Sequence, residues 1–246
     1  MFTGIVAGTA QVERLADRAG LRSFTLRFGA TGFGVGLEVG ASVAVDGVCL
    51  TVTALHRAEG EVFAADFDVM QQSLALTTLG RLVQGSEVNV ERAARDGAEI
   101  GGHPLSGHVD CLGTLVQVRR PENNHVLRIA LPPRFMRYVF AKGYVAVNGC
   151  SLTAAEVDRR EGWFEVWLIP ETLRMTTFAG QREGDAVNIE IERQTQVFVD
   201  TVREAIDERL GPLVPALEQW LRERGLGTLD DLARPAALAP PPARPR

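Results

Sequence analysis

The stretch VAVDGVCLT, from Val43 to Thr51, returns as VAVNGCSLT, from Val145 to Thr153. From 43 to 145 the offset is 102 positions, and similar residues fill nearly every place. Ser73-Leu74-Ala75-Leu76-Thr77-Thr78-Leu79 is echoed by Thr172-Leu173-Arg174-Met175-Thr176-Thr177-Phe178, and Val88-Asn89-Val90-Glu91 by Val187-Asn188-Ile189-Glu190, both 99 positions on. Near the start of each copy, Thr3-Gly4-Ile5-Val6 answers Ser106-Gly107-His108-Val109. A chain that repeats its landmarks in order holds two copies of one structural unit, and about 100 residues is an ordinary size for a domain.

Each copy reads as short strands. Asp46-Gly47 and Asn148-Gly149 lie between β-branched runs, the signal for a two-residue hairpin whose type I′ turn needs positive φ at both central positions. After the first turn the alternation is strict: Val48, Leu50 and Val52 point to one face, Cys49, Thr51 and Thr53 to the other. The second copy keeps the register, with Ser151 and Thr153 where Cys49 and Thr51 stand. Short strands separated by glycine and polar turns predict an antiparallel barrel in each half. The glycine-rich run Phe28 to Gly40 has no strand-to-helix context for phosphate binding and reads as an inter-strand loop.

From Gln194 onward the period changes. Val199, Val202, Ile206 and Leu210 recur at helical spacing, an amphipathic stripe that requires a cover. That cover is either its own barrel or a second copy. A second helical stretch runs from Leu213 to Arg224, ahead of the proline-rich Arg234 to Arg246, which is too core-poor to fold. The expected domains are 1–100, 101–198, a helical segment 199–232 and a disordered tail 233–246.

Composition narrows the function classes. The chain has 246 residues, 46% hydrophobic, with a formal net charge of −5. Its lysines and arginines are scattered, which disfavours nucleic acid and anionic membrane surfaces as partners. A small molecule is the better default. No basic segment followed by an apolar run opens the chain, and no run nears the roughly 18 apolar residues of a membrane span. Cys49, Cys111 and Cys150 are too few and too widely spaced for a disulfide framework or a paired zinc motif. These features predict a cytoplasmic location. His103, His108, Asp110 and Cys111 follow no standard metal-ligand spacing.

The motifs MFTGIV, VDGVCLTV, NVERA, GGHPLSGHVD, AKGYVAVNGCSLT, LIPETLRMTT and VNIEIE run in order from Met1 to about Arg209. In this the sequence closely resembles the riboflavin synthase family; only the part from Leu210 looks like an addition. The resemblance implies an all-β fold of two six-stranded Greek-key barrels, with a C-terminal helix holding a homotrimer. It implies a transferase without metal or organic cofactor, and lumazine synthase as a further partner. Two molecules of 6,7-dimethyl-8-ribityllumazine become riboflavin and 5-amino-6-ribitylaminouracil by passage of a four-carbon unit. The site is expected between the N-terminal barrel of one subunit and the C-terminal barrel of its neighbour. Two like substrates ask for two like pockets, and proximity then supplies much of the rate.

By the same resemblance the chemistry falls to His103, Cys49, Ser151, Ser42 and Glu192. His103 is expected in the N-terminal barrel's site, directly after Gly101-Gly102, glycines that permit close approach to a ligand. Cys49 is read as a pocket residue rather than an attacking nucleophile, and Ser42 and Thr51 as polar contacts. Gly4, Ile5 and Val6 supply backbone and apolar contacts. The expected substrate contacts of the first copy continue with Val48, Leu50, Phe67, Asp68, Val69, Met70, Gln71, Gln72 and Ser73, then Gly102 and Pro104. Those of the second copy are Lys142, Leu152, Thr153, Trp167, Leu168, Ile169, Pro170, Glu171 and Thr172. Gln72-Ser73 replaces the family's usual Glu-Thr in the first copy, while Glu171-Thr172 keeps it in the second. Glu192 and Asn148 each stand where an aspartate is usual, and Pro104 where a larger apolar residue is frequent. Two other readings compete: a non-catalytic lumazine- or flavin-binding protein of the same fold, and a purely structural pair of barrels. The first keeps the barrels but loses active-site polar groups, and the second leaves those groups unexplained.

Overall fold

The computed structural model describes residues 1–18, 20–122, 124–229 and 231. The tail expected at 233–246 lies outside them. Residues 1–196 form one compact unit, and a second begins at Val197.

The first unit contains two closed antiparallel barrels. Strands β1 (Gly8–Arg18), β2 (Leu21–Phe28), β3 (Ser42–Val45), β4 (Val48–Ala58), β5 (Glu61–Met70) and β6 (Glu87–Arg92) close in the order β1-β2-β5-β4-β3-β6. The second barrel is built from β7 (Cys111–Arg119), β8 (His125–Ala130), β9 (Tyr144–Val147), β10 (Cys150–Asp158), β11 (Trp163–Leu168) and β12 (Ala186–Ile191). It repeats the same Greek-key order. Closure leaves no free sheet edge. The period-2 pattern of the strands turns Phe24, Leu26, Val52 and Phe67 into the first barrel and Leu115, Ile129 and Phe164 into the second, and Leu79 and Phe178 join them from 3-10 turns, all nearly inaccessible to solvent. Short helices follow β5 and β11, namely α1 (Gln71–Leu76) and α3 (Pro170–Met175). A single turn, α2 (Pro133–Met136), precedes β9.

Both hairpin turns are of the expected type. Asp46 and Gly47 have φ of 45° and 79°, Asn148 and Gly149 of 44° and 77°. The turns meet tip to tip across the barrel junction: a Cβ on Gly47 would lie 2.6 Å from the Gly149 nitrogen. Two asparagines tie the junction reciprocally. Asn89 Nδ2 donates to the Asn148 carbonyl at 3.0 Å, and Asn188 Nδ2 donates to the Asp46 carbonyl at 2.8 Å. Their side-chain oxygens accept from the Thr177 and Thr78 amides respectively. The Val-Asn-Val-Glu repeat therefore fastens each barrel to the other.

The helix α4 (Arg193–Leu210) is followed by α5 (Val214–Glu223). Both lie in the stretches where helical spacing predicts them. Along α4, Phe198, Val202, Ile206 and Leu210 are exposed. No helix among the described residues is long and apolar enough to cross a membrane.

Candidate functional site

The segments leading into the two barrels change sides. Phe2 and Leu105 exchange backbone hydrogen bonds of 2.8 and 3.0 Å where these segments cross. Beyond the crossing, the Gly4 carbonyl accepts from the Ser151 amide and the Gly107 carbonyl from the Cys49 amide, both at 2.8 Å. A carboxylate pins each segment. Glu91 accepts from Thr3 N at 2.6 Å, Thr3 Oγ1 at 2.7 Å and Gly4 N at 3.1 Å. Glu190 accepts from Ser106 N and Oγ, both at 2.7 Å, and from Gly107 N at 3.0 Å. Burial pushes the Glu91 carboxyl up, against the pull of these donors. Only glycine fits at the contact points, since a Cβ on Gly4 would lie 2.5 Å from the Ser151 Cβ and one on Gly107 2.6 Å from the Cys49 Cβ.

Each barrel consequently has a hollow completed by the other half's lead-in segment. On the first barrel, Val48, Cys49, Gln72, Ser73, Leu76 and Thr77 meet Gly107, His108 and Val109 around 370 Å³. On the second, Cys150, Ser151, Glu171, Thr172, Met175 and Thr176 meet Gly4, Ile5 and Val6 around 280 Å³. Larger hollows exist. One of 660 Å³ lies by Thr31, Arg92 and Glu99, and one of 560 Å³ by Arg14, Asp66 and Asp68. Neither gathers residues that correspond between the copies, so size alone does not locate the site.

The two hollows differ chemically. His103 Nδ1 lies 2.6 Å from Ser151 Oγ, and the imidazole stacks on Tyr144 with centroids 5.1 Å apart. His103, expected at the site of the first barrel, has its side chain packed on β9 and β10 of the second. The crossing of the lead-in segments brings it there. Residues 101–103 precede Leu105, and Gly102 is pressed so close that a Cβ would lie 2.6 Å from both the Ser151 Cβ and the Thr3 carbonyl. His103 is buried, which lowers its basicity, while the charge of Glu192 acts in the opposite sense. Glu192 itself caps α4, accepting from Gln194 N at 3.1 Å and from the amide and hydroxyl of Thr195. Its partial burial raises its pKa, but these hydrogen bonds outweigh that and hold it below the usual carboxylate range.

Several expected contact residues belong to barrel interiors: Leu50, Phe67, Val69, Leu152 and Leu168 are all buried there. Asp68 accepts from Ser23 on the outer wall and lines the Arg14 hollow instead of the Cys49 one. Thr51 and Thr153 lie on the strands that carry Cys49 and Ser151, while Ser42 opens β3 opposite Thr51, as Tyr144 opens β9 opposite Thr153. Met70, Gln71, Trp167, Ile169 and Pro170 are exposed where β5 and β11 pass into α1 and α3, and Pro104 is exposed in the crossing segment. Lys142 is an exposed turn residue with φ of 69°, its amide donating to the Ala154 carbonyl, and it lines neither hollow. Glu171 is engaged by Arg174 at 2.6 Å, both exposed.

Eight lining residues lie outside the expected set: Leu76, Thr77, Gly107, His108 and Val109 at the first hollow, and Cys150, Met175 and Thr176 at the second. The signal was present. Gly107-His108-Val109 answers Gly4-Ile5-Val6, so the repeat that placed one trio at a hollow also places the other. Cys111 and Cys150 are free thiols whose burial pushes each up to about 12.

Comparison with known proteins agrees with the duplicated fold. The family model of the lumazine binding domain matches twice, at residues 3–93 and 106–192. The riboflavin synthase of Escherichia coli (strain K12) is 40% identical over 210 residues, 85% of this chain and 95% of the relative. That of Buchnera aphidicola subsp. Schizaphis graminum (strain Sg) is 36% identical over 214 residues, 87% of this chain and 99% of the relative. Among solved structures, LumP complexed with riboflavin superposes with a TM-score of 0.71 at 21% identity. The match covers 78% of this chain and all of that one, a likeness of fold.

Proposed function

The chain belongs to the riboflavin synthase family, and from that premise we propose that it converts two molecules of 6,7-dimethyl-8-ribityllumazine into riboflavin and 5-amino-6-ribitylaminouracil. The observation that carries this reading is the pair of corresponding hollows, each walled by one barrel and the opposite lead-in segment. One lumazine gives up a four-carbon unit and its twin accepts it, so two similar cavities of unequal chemistry match the demand. Cys49 and His108 line one cavity and Ser151 the other, where the serine hydroxyl meets the buried imidazole of His103. Neutral His103 beside the Ser151 hydroxyl is suited to proton exchange near neutral pH.

Both hollows are open and sit near or below the lower end of the 300–1,000 Å³ typical of ligand sites. This supports a site closed by another subunit. The exposed stripe of α4 supports association into a homotrimer, and three free cysteines support a cytosolic setting. The substrate would come from lumazine synthase. A carrier that merely holds lumazine or flavin is the weaker reading, because the likeness to LumP is of fold at 21% identity while that to the synthases is 36–40%.

The test is incubation of the purified chain with the lumazine alone. Flavin absorbance should grow catalytically, and a stoichiometric complex without turnover would overturn the enzyme. Native mass measurement should give three copies; a fully active monomer would contradict a site shared between subunits.

A further inference from the structure

The His103 ring is held from two sides. Ser151 Oγ lies 2.6 Å from Nδ1, and the Tyr144 ring stacks on the imidazole with only 16° between the planes. Tyr144 opens β9 and Ser151 lies on the adjacent β10. His103 is 3% exposed and Tyr144 53%, so the phenol ring stands between the imidazole and solvent on that side. His103 Nε2 has no hydrogen-bond partner among the described residues. A single hydrogen bond through Nδ1 leaves the ring free to pivot about it, and the stack removes that freedom. In the other barrel Ser42 occupies the place of Tyr144, opposite Thr51, and has no ring to offer. The arrangement is thus specific to the second barrel.

We infer that Tyr144 is a positioning residue for the reaction: its ring clamps His103 against Ser151 so that imidazole and hydroxyl stay aligned for proton exchange. In that exchange the Oγ–H bond breaks as an Nδ1–H bond forms, leaving an alkoxide beside an imidazolium. The inference rests on the reading that this pair serves the lumazine reaction. Flatness is the active property, so phenylalanine replaces tyrosine and a small side chain does not.

The groups around the imidazole fix the expected pH response. Glu192 faces it from the start of α4, Tyr144 from β9 and Ser151 from β10, while Glu91 is occupied with Thr3 and Gly4. Removing the cover hydrates the ring, which relieves the burial that disfavours its charged form. The ring then protonates at higher pH, and the acid limb of the rate profile moves the same way.

Two substitutions test this in the full-length protein. Tyr144→Ser installs the residue that the other barrel carries at this place, and Tyr144→Phe keeps the ring. The readouts are riboflavin formation against pH and the NMR titration of His103 in histidine-labelled protein, assigned with His103→Gln. Tyr144→Ser should lower kcat on the order of tenfold with a smaller change in KM and raise the His103 midpoint; Tyr144→Phe should restore both. Unchanged kcat and titration in Tyr144→Ser would overturn the clamp, as would a Tyr144→Phe variant impaired as badly as Tyr144→Ser. Should Tyr144→Ser unfold, Tyr144→Leu is read by the same criteria. If the parent makes no riboflavin, the functional reading fails, and the NMR titration still decides whether Tyr144 holds the ring.

Discussion

The two barrels share a strand order, a turn type and a way of borrowing a wall, yet they furnish their hollows differently. Where the first has Cys49, the second has Ser151; where Ser42 stands, Tyr144 stacks on a histidine; where Gln72 stands, Glu171 keeps a carboxylate. Backbone geometry was retained after duplication because the tip-to-tip turns and crossing segments admit few alternatives. Side chains at the hollows were free to diverge. Identical cavities could not assign different roles to two identical substrates, so the divergence fits the proposed reaction of two like lumazines.

The largest effect should come from removing the group that most distinguishes the second hollow. His103→Gln is expected to slow riboflavin formation by about 10²–10³-fold, in keeping with the loss of a positioned acid–base group. Cys49→Ser should cost less than about tenfold, since it leaves a polar group of similar size without disturbing a proton-exchanging pair. Equal losses in the two variants, measured as kcat/KM, would break the asymmetry argued for the barrels.

A stability difference between the turns is next. Asp46 is buried at the barrel junction, and burial raises its carboxyl to about 7, against the hydrogen bond from the Asn89 amide. The folded value lies above the unfolded one, so the stabilisation is whole below about pH 4 and is lost as pH rises through about 7. Asn148, its counterpart, accepts from the Asn188 amide at 2.7 Å and cannot ionise. Asp46→Asn should therefore leave the unfolding midpoint nearly unchanged at pH 4 and raise stability at pH 8, by up to about 4 kcal/mol. Denaturant titration at the two pH values checks it, and a gain independent of pH would contradict it.

Smaller again is the loss at the reciprocal asparagines. Asn89→Ala and Asn188→Ala each remove hydrogen bonds to the opposite barrel and should cost about 1–3 kcal/mol apiece. Similar losses would confirm that the junction is pseudo-symmetric even though the hollows are not. The smallest effect is expected from Gln72→Glu, which restores to the first barrel the carboxylate present in the second. We expect KM for the lumazine to change by roughly twofold to fivefold, about 0.4–1 kcal/mol, as for one exposed polar contact.

Much of the architecture was readable residue by residue. The VAVDGVCLT repeat supplied the duplication, Asp-Gly and Asn-Gly the hairpins, and the spacing of Val199, Val202, Ile206 and Leu210 the helix α4. Around the hollows the sequence is legible in part: Cys49, Ser151 and Glu171-Thr172 lie where corresponding residues gather, whereas the packing of His103 on the second barrel and the place of His108 at the first hollow emerge only in the fold. The resemblance places Phe67 and Val69 among the contact residues, whereas strand alternation turns both into the barrel interior.

Turns, strands and helices follow from φ and ψ preferences and from side-chain period, which act over a few neighbouring residues and leave a local mark in the sequence. The exchange of lead-in segments leaves no such mark. It depends on contacts between residues dozens to well over a hundred positions apart, such as Gly4 with Ser151, Gly107 with Cys49 and His103 with Tyr144. Those pairings were decided by how two closed barrels pack, because only there does each lead-in segment, pinned by its own barrel's Glu91 or Glu190, reach the opposite barrel and give its hollow a second wall.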